Sequence, residues 1–165
     1  MAIETSNEPD TRVTRDNAGV IAWPPFIFAA CAGVGIVGHF VHAVPIADGP
    51  LIKRIGGLLA VCSGVLAIWA QRAMKAAGTN IRPDKPALVI VKRGPYRFTR
   101  NPLYLSLCML HSGMALWLND WVTLSLVLPL FAILHFGVVL REEAYLERKF
   151  GEEYLGFKRR VHRWI

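Results

Sequence analysis

The sequence predicts an all-α integral membrane protein: four transmembrane helices, the last two joined as a tight hairpin, and a C-terminal amphipathic helix on the cytoplasmic face. Three observations lead there. Hydrophobic residues make up 53% of the 165 positions against 19% charged, an apolar excess that points to a membrane. The apolar residues gather into four runs, 23–44, 55–71, 102–118 and 121–140, and about 20 helical residues cross a hydrocarbon core. The basic residues are distributed unevenly between the runs. Eight Lys or Arg lie between Arg72 and Arg100, seven follow Leu140 and two precede the first run. If every run crosses, seventeen of nineteen share one side, which the positive-inside rule makes cytoplasmic together with both termini.

The net charge of +7 is accounted for by that membrane surface, so membrane lipids rather than nucleic acid are the expected partners. Lys53 and Arg54 are the exceptions and are expected to snorkel to the opposite interface. Residues 1–20 lack apolar periodicity and read as a flexible tail. They carry acids before any apolar run and lack the basic start of a cleavable signal peptide, so the first span is expected to be retained. Residues 21–165 are then expected to form one membrane domain. Cys31, Cys62 and Cys108 all sit inside apolar runs, in an odd number and without metal-ligand spacing; they read as packing residues, and no metal site is expected.

Taken in order, the first run opens at Trp23-Pro24-Pro25 and contains Gly33-Val34-Gly35-Ile36-Val37-Gly38. That string matches a dinucleotide fingerprint formally, but no strand precedes it and no acid follows at the needed distance, so it is rejected. Ala29 with Gly33, and Cys31 with Gly35, instead make small-residue faces for close helix packing. Gly56-Gly57 and Gly64 in the second run suggest the same. His39 and His42 read as interfacial. Residues 72–101 form a long cytoplasmic loop, a length that is often functional. Within it Ala87 to Val91 is apolar but too short to span, and is expected to pack beneath the loop.

Only Asn119 and Asp120 separate the third and fourth runs, which forces the hairpin. Trp117 and Trp121 mark its outer interface, and Pro129 is placed to kink the fourth helix. His135 and Glu142 are seven residues apart on that helix, so both are expected to address one cavity. His135 is a candidate both for catalysis and for a structural hydrogen bond to a neighbouring helix. Over 141–165 the positions Leu146, Phe150, Tyr154, Phe157, Val161 and Trp164 recur every three or four residues, the pattern of an amphipathic interfacial helix interrupted at Gly151.

The stretch Gly94-Pro95-Tyr96-Arg97-Phe98-Thr99-Arg100-Asn101-Pro102-Leu103-Tyr104 is the strongest functional signal. Its two prolines fix φ and bias their predecessors away from helix. Tyrosines and arginines on so shaped a loop suit a pocket for a ligand with an aromatic ring and an anionic group; they also suit a juxtamembrane turn facing lipid headgroups. Glu142 and Glu143, adjacent carboxylates at a membrane helix end, are costly to leave unpaired and are candidate ligands for a cation.

Gly94-Pro95-Tyr96, Arg100 to Tyr104, Glu142-Glu143, Phe150-Gly151-Glu152-Glu153-Tyr154 and Val161-His162-Arg163-Trp164 together resemble the isoprenylcysteine carboxyl methyltransferase and phospholipid methyltransferase superfamily over about residues 78–165. The resemblance implies a polytopic methyltransferase using S-adenosylmethionine, released as S-adenosylhomocysteine, on a lipophilic small-molecule or lipidated substrate. It implies that Val89, Ile90, Val91 and Tyr96 line the cofactor, that Arg100, Asn101, Pro102, Leu103 and Tyr104 form the next wall, and that Glu142 and Glu143 reach it from the fourth helix. Two departures are present: Asn101 stands where much of the family has histidine, and Val138 where prenylcysteine enzymes are expected to have an arginine. Arg141 is the candidate substitute for that arginine, with His135 the other candidate catalytic group. The hairpin also resembles sterol reductases distantly, which would imply a nicotinamide cofactor, and a non-catalytic membrane scaffold is the third alternative. The sequence leaves the acceptor and the oligomeric state open.

Overall fold

The computed structural model describes residues 16–165; the first fifteen residues of the predicted tail lie outside the described residues. The architecture is helical throughout, with one isolated bridge between Thr99 and His162 as the sole strand-like pairing among the described residues. Helix α1 spans Pro24–Val41 and opens on two prolines, whose missing N–H groups cost nothing in a first turn. Helix α2 spans Leu51–Ala76 and α3 spans Pro102–Leu118. A rod over Trp121–Phe150 follows, made of α4 (Trp121–Ser125), α5 (Val127–Leu134), a π turn (His135–Val139) and α6 (Leu140–Phe150). Helix α7 covers Glu152–Arg160.

Three of these, α1, α2 and the 121–150 rod, are long and apolar enough to cross a membrane, and α3 is a shorter apolar helix of 17 residues. Helix ends differ from the apolar runs in instructive ways. At 26 residues α2 runs past the predicted 55–71 at both ends, because backbone hydrogen bonding continues through Lys53, Arg54 and Arg72 where the apolar run does not. About 39 Å of helix results, longer than a hydrocarbon core of about 30 Å. Helix α1 stops at Val41, three residues short of the predicted end.

The largest correction concerns residues 141–165, which are not one interfacial helix. Helix α6 continues the 121–150 rod directly from the π turn, and the break comes, as expected, at Gly151, whose φ of 52° suits glycine best. Helix α7 then ends at Arg160, and the last residues are extended, with Arg100 donating its backbone N–H to the His162 carbonyl at 3.0 Å. Earlier in the rod, α4 gives way to α5 at Leu126. Pro129 explains this: it has no N–H for the Ser125 carbonyl, and its ring crowds that same oxygen.

Asn119, in the left-handed region at φ 57°, turns α3 into the rod. Its side chain accepts from the backbone of Ile46 and Ala47 at 3.1 Å each. Asp120 is fully buried beside it, capping α4 through Thr123 N at 2.8 Å and accepting from Val44 N at 2.9 Å. These bonds join the 42–50 loop to the hairpin turn. The long basic loop, α6, α7 and the start of α1 are therefore gathered at the opposite end of the bundle.

Helices α2 and α3 make the most extensive pairing. A Cβ on Gly56 would meet Trp117 N at 2.5 Å and Gly113 O at 2.6 Å, and one on Gly113 would meet Ala60 N at 2.8 Å; backbone lies on backbone here, as small residues allow. Ser63 adds a hydroxyl bond to the Ser106 carbonyl at 2.8 Å. Gly35 is a close-packing position as expected, but Gly33 and Gly64 face open space.

Gly56→Leu is expected to lower the melting temperature of detergent-purified protein sharply, since overpacking costs about 1–3 kcal/mol even where side chains can yield and backbone atoms cannot. Gly64→Ala, with no neighbour within 4 Å, should melt like the wild type. Equal effects of the two substitutions would contradict this packing.

Candidate functional site

The basic end of the bundle holds a cleft of roughly 880 Å³ including its open mouth, within the size range of small-molecule sites. Gly94–Arg97 forms a single 3₁₀ turn, and Pro95 and Tyr96 on it are buried. Val91 and Tyr96 pack with Ala70 of α2, which fixes the loop on that helix. Pro102 opens α3, and the Tyr104 side chain is carried inward on its first turn. All eleven residues expected around a cofactor, namely Val89, Ile90, Val91, Tyr96, Arg100, Asn101, Pro102, Leu103, Tyr104, Glu142 and Glu143, line this one cleft.

The two adjacent glutamates have different partners. Glu143, 5% exposed, receives both Arg163 donors at 2.9 and 2.8 Å, and Arg100 Nη1 lies 3.0 Å from its Oε1. Its charge is thus already matched. Glu142 accepts one hydrogen bond, from the Tyr104 hydroxyl at 2.8 Å, and no cation pairs with it among the described residues. Arg100 has a side chain only 7% exposed, and neither its Nε nor its Nη1 forms an aligned hydrogen bond. The cleft therefore offers one carboxylate and one guanidinium with capacity left over. Burial, reinforced by Glu142, holds the Tyr96 phenol well above its ordinary range, and burial lifts Tyr154 to about 12; both are neutral donors at physiological pH.

The C-terminal tail braces this wall from behind. The Arg163 carbonyl accepts from Asn101 Nδ2 at 2.9 Å and from the Thr99 hydroxyl at 3.1 Å. Asn101 is consequently spent on the tail through that amide, which histidine would satisfy differently.

Neither proposed catalytic group reaches the cleft. His135 accepts from Trp164 Nε1 at 3.3 Å and stacks on Phe131, so its hydrogen bond runs to the C-terminal tail and not to a neighbouring helix. The π turn at His135–Val139 is the reason that residues 135 and 142 do not share a cavity, because one added residue per turn rotates everything before it. Arg141 points outward and donates to the Gly19 carbonyl at 2.9 Å. The run 87–91 also departs from expectation: Val91 is buried, while Leu88 and Val89 are 56% and 42% exposed.

Several lining residues carried no recognisable signal. Residues 16–20, read as the end of a flexible tail, and Ile21 after them lie along α6 and the π turn instead. Asp16 accepts from Tyr145 and Lys149 at 2.7 Å each, and Ile21 N donates to the Gly137 carbonyl at 3.2 Å within the π turn. Ala18 and Tyr145 thereby join the lining. Thr79 to Pro83, within the long loop 72–101, also line the cleft. Tyr154 and Phe157 stood in the apolar periodicity of the C-terminal segment, and that signal placed them inward without showing what they would face.

A family model described as phospholipid methyltransferase matches residues 52–153. The chain belongs to that family. The match begins in α2 and ends beyond Gly151, and so includes every residue of the cleft except Ala18, Tyr154 and Phe157. A Haemophilus influenzae protein described only as uncharacterized is 41% identical over 64 residues, 38% of this chain and all of that protein. No solved structure matches the chain.

Arg163→Met should leave the buried Glu143 with Arg100 alone and free the tail. With Arg163 partly solvated, the expected loss is about 1–2 kcal/mol, read as a lower melting temperature and as faster amide exchange at 161–165. Arg163→Lys, which cannot make the two-pronged contact, should recover only part of it. An unchanged exchange rate in Arg163→Met would show that the tail is held by something else.

Proposed function

We propose that residues 21–165 act as one membrane methyltransferase domain, with four spans and the basic end on the cytoplasmic side. It would transfer a methyl group from S-adenosylmethionine to a lipophilic or membrane-accessible acceptor bearing a carboxylate, amine or thiol. Family membership supports methyl transfer, and the one-sided basic residues support the orientation. The observation that carries the cofactor is the pair of groups with unused capacity: Glu142 without a cation and Arg100 buried with unfilled N–H groups.

The fit follows from chemistry. A zwitterionic amino-acid end needs a carboxylate for its ammonium and a guanidinium for its carboxylate, and Glu142 and Arg100 supply one of each. Tyr104 holds Glu142 in place through its hydroxyl, which donates to the carboxylate at 2.8 Å. Val91, Leu103 and Tyr96 provide apolar and aromatic wall suited to adenine. When bound, the cofactor would supply an electrophilic methyl on a sulfonium. What remains for the protein is to align the acceptor and to exclude water, which Tyr96, the wall from Arg100 to Tyr104 and the strap at 16–21 are placed to do. An acceptor that arrives as a carboxylate or thiolate needs no base, consistent with a reading in which His135 and Arg141 take no catalytic part.

Calorimetric titration of detergent-purified protein with S-adenosylmethionine and S-adenosylhomocysteine is the test. Micromolar binding, roughly −8 kcal/mol, is expected, and Glu142→Gln should weaken it some ten- to hundredfold by removing a charge-assisted hydrogen bond of about 1.5–3 kcal/mol. Folded protein that binds neither compound in detergent or in lipid would sink this reading, and tight binding of a reduced nicotinamide dinucleotide instead would favour a reductase.

A further inference from the structure

A second concavity lies on the other side of the Ile90–Val91 wall, between the basic end of α2 and residues 90–94. It exists because Ala73, Ala76 and Ala77 present only methyl groups there, and because Gly94, with its nearest neighbours the Trp69 indole and Ala73, crosses close to the helix. Its volume is about 980 Å³ including the open side. Arg72 and Arg93, from segments about twenty residues apart in sequence, both line it, as do Lys92 and Trp69. No carboxylate lines it, and only Lys92 is paired, to Glu153 at 2.6 Å. Arg72 and Arg93 are exposed and make no ion pair among the described residues.

An exposed apolar stripe leads into this groove. Val61, Val65 and Ile68 lie on the α2 face that ends at Arg72, all more than half exposed. From Val61 to Arg72 the helix rises about 16 Å, which is one leaflet of a hydrocarbon core about 30 Å thick. A generic interfacial belt would spread its cations around the bundle. Here two arginines line one depression at the head of a leaflet-long apolar track, with an indole among the lining residues.

We propose that this groove binds the phosphate of a single phospholipid carrying net negative charge, held by Arg72 and Arg93, with its chains along Val61, Val65 and Ile68 of α2. Guanidinium groups match phosphate oxygens two at a time, and anionic lipids concentrate where basic residues face a leaflet. Inorganic phosphate shares the headgroup chemistry but not the track, and a second copy of the chain could cover the track but not match the arginines. The lipid accounts for both features. The proposal needs the chain in a membrane but not the methyl donor, so it stands or falls separately from the cofactor reading.

The test is native mass spectrometry of the full chain, delipidated in detergent and titrated with short-chain phosphatidylglycerol, chain-matched phosphatidylcholine or inorganic phosphate. One phosphatidylglycerol should bind at least tenfold tighter than phosphatidylcholine. Arg72→Gln with Arg93→Gln should abolish that preference, while Lys53→Gln with Arg54→Gln, at the other end of α2, should keep it. Independently of any arginine variant, the fluorescence that Trp69→Phe removes should be quenched by chain-brominated phosphatidylglycerol at lower concentration than by its choline counterpart. Equal affinities for the two lipids, a preference that survives in the Arg72/Arg93 variant, inorganic phosphate binding as tightly as the lipid, equal quenching, or a lipid-free dimer covering the track would each overturn the proposal.

Discussion

The Glu143 carboxylate is the constraint on which the basic end of the molecule depends. A charge buried this far is tolerated only when matched and hydrogen-bonded, and the matching groups come from two other places in the chain: Arg100 on the loop before α3 and Arg163 on the C-terminal tail. One carboxylate therefore joins the rod, the loop and the tail. The bridge between Thr99 and His162, and the Asn101 amide on the Arg163 carbonyl, follow from having those segments side by side. The preceding residue then falls to a different use. Neighbours on a helix point about 100° apart, so once Glu143 faces the arginines, Glu142 faces the cleft, where Tyr104 alone meets it.

Much of this was legible, and the pattern of what was not has a physical cause. The apolar runs located all four long helical segments, since burial in hydrocarbon is recorded directly in composition. Their ends were less legible because hydropathy stops at the first charge, whereas helical hydrogen bonding does not; α2 runs through Lys53 and Arg72, and α6 runs straight out of the fourth run. The hairpin turn was readable because Asn119 and Asp120 are residues a left-handed turn and a helix cap each favour. The loop 94–104 was readable because two prolines restrict its backbone whatever surrounds it.

What sequence could not show was created by contacts between distant segments. The π turn has no compositional mark here, yet it decides that His135 meets Trp164 instead of the cleft. Ala18 enters the lining only because Asp16 and Ile21 dock on α6 and on the Gly137 carbonyl. The distinction between Glu142 and Glu143 is of the same kind: two identical side chains in adjacent positions, one neutralised by Arg163 sixty-odd ångströms of extended chain away and brought near only by the fold.

Net charge illustrates the same separation of levels. At the level of composition, +7 is a single number that says the chain prefers an anionic surface. In the structure the arginines divide according to solvent access. Arg163 and part of Arg100 neutralise a buried acid and are unavailable to anything else. The remaining capacity of Arg100 lies at the cleft, where its 7% side-chain exposure makes one small anion worth more than it would be in water. Arg72 and Arg93 lie outside, beyond the Ile90–Val91 wall, exposed on a separate concavity. Ile90 and Val91 line both concavities and separate the two groups of arginines, which is why this short apolar wall, with no chemistry of its own, matters to the arrangement.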